Sequence, residues 1–144
     1  MATSAWNKFN DFSEQLVRGV HDFDANTFKV VLTNSAPTAA NTILTDITQI
    51  TGSGGYTTGG ATTTITISET SGTTTVSGTE IVWTGTGSGF GPFRYAVLYN
   101  DSSTSPADAL IAWFDYGSAI SVGASETFTL KFNNASPGAM FTLV

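Results

Sequence analysis

The chain has 144 residues, enough for one domain that buries roughly two thirds of the surface its unfolded form exposes. Only 11% of it is charged, against about 25% in an average soluble domain; 25 Thr, 15 Ser and 15 Gly take the place of charge. Five basic against 11 acidic residues leave no electrostatic footprint for nucleic acid, zero cysteines exclude disulfides and thiolate metal sites, and no apolar run approaches the ~20 residues of a membrane span.

Residues 1–8 lack the basic-then-apolar order of a signal peptide. Over residues 5–23, Phe9, Phe12, Leu16, Val17 and Val20 recur at helical spacing, with Asn10, Asp11, Glu14 and Arg18 on the other side. The pattern predicts an amphipathic helix that frays at Gly19. From residue 24 the period changes to two. Residues 27–33 read as a strand closed by the turn at 34–37. Residues 38–51 are ambiguous: Ile43, Leu44, Ile47 and Ile50 fit a short helix or turn, while the many Thr favour extended chain. Glycines on both sides of Tyr56 mark a mobile or tightly turned loop. Strands follow at 62–69, 73–77 (a hairpin partner), 80–84, 93–99, 109–115 and 126–132, with a short last one at 139–144; residues 85–92 and 100–106 are loops. Many short strands with no helical crossovers predict a mainly β fold: an antiparallel, jelly-roll-like β-sandwich. The expected organisation is a single domain over 1–144, with an N-terminal helix or arm at 1–23 and the sandwich at 24–144.

Residue chemistry points away from catalysis. His21 is the only histidine, and although Asp22 and Asp24 stand beside it, no nucleophile is placed with them as a triad requires. It reads as a histidine at a helix end, facing solvent or the sheet. Neither Asp22 with Asp24 nor Asp101 with Asp108 has the dense spacing of a calcium loop. Among Glu69, Glu80, Asp115 and Glu126 nothing singles out a glycosidase pair. Residues 85–91 alternate Gly with other residues but carry no phosphate-binding motif. The Thr runs at 62–66 and 73–75 lack the regular repeat of an ice-binding ladder and read as exposed strand faces. The expectation is therefore no enzyme, no metal and no cofactor. Most strand aromatics, including Tyr95, Trp113, Phe114 and Tyr116, read as core. Trp6 and Phe9 lie near a chain end that an isolated domain leaves mobile, which makes them docking candidates. The expected partner contacts are Trp6, Lys8, Phe9, Phe12 and Tyr56.

Several blocks carry a resemblance. Asn7-Lys8-Phe9, residues 20–34 (Val-His-Asp-Phe-Asp-Ala-Asn-Thr-Phe-Lys-Val-Val-Leu-Thr-Asn), Gly54-Gly55-Tyr56-Thr57-Thr58-Gly59-Gly60, Val82-Trp83-Thr84, the Phe-Arg-Tyr-Ala-Val-Leu-Tyr-Asn-Asp block at 93–101 and the Leu-Ile-Ala-Trp-Phe-Asp-Tyr-Gly block at 110–117 resemble small virion proteins of tailed bacteriophages, in particular capsid decoration (cement) proteins. The resemblance spans most of the chain. It implies a non-enzymatic protein on the outer capsid surface of the virion that binds the major capsid protein and stabilises contacts between capsomers, as a homo-oligomer with a trimer favoured. No catalytic residue carries over. The acidic balance fits an outer rather than a DNA-facing surface. Two other readings stand beside it: a phage neck, tail or fibre component, and a carbohydrate-binding sandwich using Tyr56 and Trp83.

Overall fold

The computed structural model describes residues 2–144. Ten strands and one α-helix follow one another along the chain: β1 (Asn7–Lys8), α1 (Phe12–Val17), β2 (Phe28–Thr33), β3 (Ala61–Thr63), β4 (Ile65–Thr70), β5 (Thr73–Gly78), β6 (Ile81–Thr84), β7 (Phe90–Asn100), β8 (Leu110–Val122), β9 (Thr127–Leu130) and β10 (Gly138–Leu143). A single 3-10 turn, Leu44–Asp46, interrupts the segment between β2 and β3. Every pairing is antiparallel. The fold is mainly β, as the alternating sequence predicts.

One layer is a five-stranded sheet in the order β1-β8-β7-β2-β3. Facing it are two smaller sheets, β10-β5-β4 and β6-β9. Between the layers lies the larger core, where Phe28, Leu32, Phe93, Leu98 and Ile111 from the first layer meet Val76, Ile81, Trp83, Leu130 and Met140 from the second. Strand β2, the second half of β7 (residues 96–100) and the start of β8 (residues 110–112) are buried on both faces, so their sequences run largely apolar rather than alternating. A second core covers the opposite face of the large sheet: Val31, Val97, Tyr99 and Leu110 pack under Phe9, Leu44 and Ile47. The ambiguous stretch at 38–51 is thus the lid of that second core. Bridges Ile43 to Ala109 and Thr33 to Gln49 fasten it down.

The N-terminal segment departs from expectation. Helix covers only Phe12–Val17, and residues 7 and 8 are extended, paired with Trp113 and Ala112 of β8. Burial overrides periodicity here, because Phe9 reaches the second core only from an extended chain lying along the sheet edge. The helix ends as a Schellman motif: Gly19, at φ +77°, donates to Leu16 O and the Val20 N–H to Gln15 O. The strand predicted at 62–69 also divides. At Thr64 the chain leaves the large sheet for the small one, and Thr79 staples the corner by accepting the Thr64 N–H on its hydroxyl (2.9 Å) and donating its own N–H to Thr64 O (3.0 Å).

Candidate functional site

The five expected partner contacts are not gathered on one surface. Phe9, Phe12 and Tyr56 are buried in the chain's own cores, so docking through them is corrected to a structural role. Phe9 has no exposed surface and lies 4.7 Å, centroid to centroid, from Trp113. Phe12 sits in an aromatic cluster with Trp6, Phe23 and Phe141. Tyr56 donates its hydroxyl to Gln49 Oε1 (3.0 Å) and accepts the Leu32 N–H (3.2 Å), which ties the glycine-rich loop to β2. That loop is tightly turned: a Cβ on Gly60, at φ +78°, would lie 1.9 Å from Val30 O. Trp6 is half-buried against Phe114 and Phe141. Lys8 alone is fully on the surface, donating to Ser13 Oγ. Trp83, the other aromatic proposed for sugar stacking, is buried against Phe128.

Two other features stand out on the surface. The first is the outward face of the sheet β10-β5-β4. Val76 of β5 points into the core, and the period of two then turns Thr73, Thr75 and Ser77 outward. Register places Thr66 beside Ser77, Ser68 beside Thr75, Thr70 beside Thr73, and Thr142 of β10 on the other side of Thr75. Seven hydroxyl side chains therefore form one continuous face with no charge among them. The sole charged residue of the three strands, Glu69, alternates to the opposite side and accepts the Gly72 N–H at the hairpin tip (2.6 Å). Threonine is legible in the sequence as a strand former, but the two-dimensional array depends on register and is not.

The second feature is a groove of about 750 Å³ between the outer half of the β7–β8 pair and β9. Arg94 and Asp115 form its centre as a bidentate pair, Nε to Oδ1 at 2.7 Å and Nη2 to Oδ2 at 2.9 Å. The guanidinium also lies over the Tyr95 ring, 5.2 Å from its centroid. Two hydrogen bonds from Arg94, with a further one from the Gly117 N–H, hold the Asp115 carboxyl below its ordinary range. Tyr116 and Phe128 meet edge to face at 6.1 Å and supply the apolar wall. A second ion pair, Lys131 with Glu80 at 3.4 Å, stands at the other side, near Asn133 and Asn134. Sequence reading passed over this site. The signal was present: Arg94 and Asp115 are each the one charged residue of a predicted hydrophobic strand. What the sequence does not show is their pairing: regular alternation from the Tyr95–Asp115 partnership would turn Arg94 to the other face, and the irregular register between Phe93 and Tyr95 brings it to Asp115.

His21 is buried and faces Asn100 of β7, so of its two expected orientations, solvent or sheet, it takes the sheet. No group of three or more His, Asp and Glu side chains converges among the described residues. No family model, curated protein or solved structure matches the chain.

Proposed function

We propose that the chain is a structural protein of a tailed-phage virion, without enzymatic activity, that binds the outer surface of the capsid and stabilises contacts between capsomers of the major capsid protein. The observation that carries the reading is the uncharged hydroxyl face of β10-β5-β4, taken together with the resemblance of the sequence blocks above. Depletion of charge distinguishes the cores of protein interfaces from ordinary surface. Hydroxyls held on paired strands offer donors and acceptors without the desolvation penalty of an ion. Many copies on a repeating lattice gain by avidity, so a modest contact per copy suffices. A trimer at three-fold positions is the oligomer proposed.

Co-sedimentation with particles lacking the protein tests this. The wild-type chain is expected to pellet with particles, at a copy number that follows the major capsid protein. Ser68→Glu or Thr142→Glu, each placing one desolvated charge on the face, is expected to abolish pelleting and leave the melting temperature unchanged. Undiminished pelleting of both variants removes the face from the interface. A copy number matching a neck or tail ring would move the protein to that part of the virion.

A further inference from the structure

We propose that the groove between β7–β8 and β9 is a binding site for a neutral saccharide. Its size falls within the range of about 300–1,000 Å³ typical of small-molecule sites. Its charges are matched: Arg94 is paired with Asp115 and Lys131 with Glu80, so the site offers strong hydrogen-bonding groups with no net charge to attract an ion. The bidentate pair leaves specific valences open. Asp115 Oδ1 accepts from Arg94 Nε and the Gly117 N–H, and among the described residues Oδ2 accepts only Arg94 Nη2. Oδ2 therefore keeps a free lone pair beside the unused N–H groups of the guanidinium. An acceptor and donors side by side, in fixed geometry, suit a vicinal diol, each of whose hydroxyls both gives and takes a hydrogen bond.

The remaining walls fit the rest of a pyranose. A sugar ring has an apolar face of C–H groups, and Tyr116, 39% exposed, presents an aromatic surface braced from behind by Phe128. Asn133 and Asn134 line the same groove and add amide donors and acceptors at its end. An aromatic platform beside a fork of polar groups distinguishes a sugar from a phosphate, which needs an excess of positive charge, and from a lipid, which needs a dry apolar wall. The proposal does not depend on the virion reading: a sugar-binding chain absent from particles and a particle-bound chain with an idle groove are separately observable.

Titration of the isotope-labelled full chain with short malto-, cello-, chito- and manno-oligosaccharides, followed by amide chemical shifts, tests it. At least one series is expected to shift the amides of Arg94, Asp115, Tyr116 and Phe128, leaving those of β4 and β5 in place. Tyr116→Ala should weaken that binding about tenfold. Thr129→Trp, which fills the groove from an exposed strand position and leaves the Arg94–Asp115 pair intact, should abolish it. Both variants keep the wild-type melting temperature, since both positions are exposed. Silence towards every series at millimolar concentration overturns the proposal, as does binding that survives both substitutions. Preference for a charged sugar or an extended peptide over every neutral oligosaccharide also overturns it.

Discussion

His21 shows how far one side chain's behaviour depends on residues distant in sequence. Its ring is enclosed by Phe12 at 5.4 Å and Phe23 at 6.2 Å, and the amide of Asn100 lies 3.3 Å from Nδ1. Asn100 itself is buried and donates its two N–H groups to Val20 O and Asn26 Oδ1, which holds its amide between the imidazole and the turn at 22–26. Nε2 is buried and meets no hydrogen-bond partner among the described residues. Burial pushes the imidazole down from 6.5 to about 4, against a weaker upward pull from Asp11. Above pH 6.5 both folded and unfolded chains hold it neutral, and stability owes nothing to its titration. Between there and about 4 only the unfolded chain takes the proton. Stability then falls by about 1.4 kcal/mol per pH unit, to a total of about 3 kcal/mol. Urea unfolding across that window should show this slope, and His21→Gln should flatten it. A slope unchanged by the substitution would assign the acid sensitivity elsewhere. The sequence could not show this burial, because Asn100 is 79 positions away and reads as a turn residue.

At the scale of elements, the first strand is the least conventional. Two paired residues do not make a stable strand on their own. What holds β1 is Phe9, which continues the pairing through its N–H to Ile111 O (3.1 Å) and closes the second core. Phe9→Ala is expected to destabilise the chain by about 3–5 kcal/mol, the ordinary range for truncating a buried Phe. The loss should appear as a lowered urea midpoint together with a red-shifted, more exposed Trp113. A change below about 1 kcal/mol would mean that the segment is the detachable arm its position suggests. Most strands were legible because their period of two or their continuous apolar runs have few competing explanations. This segment was not. Phe9, Phe12 and Leu16 fit one face of a helix, yet Phe9 belongs to one core and Phe12 to the other, on opposite sides of the large sheet. Periodicity assumes a single buried face. The 38–51 lid is ambiguous in sequence for a related reason, since its apolar residues cover a sheet without joining one and include a single 3-10 turn.

For the whole molecule, the strand order explains why fold class was readable and the candidate sites were not. Strand β2 pairs with β7 although some sixty residues separate them, and β8 receives β1 from the far end of the chain. Composition and alternation determine how many strands form and how they are faced; only tertiary register decides which side chains meet. The hydroxyl face and the Arg94–Asp115 groove are both products of register. Closure is likewise global. Phe141, in the last strand, touches Trp6, Phe12 and Phe23 from the first part of the chain. Removing residues 138–144 should therefore unfold more than one edge: the truncated chain is expected to bind a hydrophobic dye and lose the cooperative thermal transition. A sharp transition retained after that deletion would show the earlier strands to be self-sufficient.

The contact of Phe141 with the N-terminal aromatic cluster also has a meaning during synthesis. While the ribosome still holds the C-terminal residues, the rings of Trp6, Phe12 and Phe23 wait without the partner that covers them. A chain that stops before β10 has that cluster open, a target for chaperones and proteases. Docking of β10 conceals the cluster. Packing thereby separates chains that contain β10 from chains that lack it.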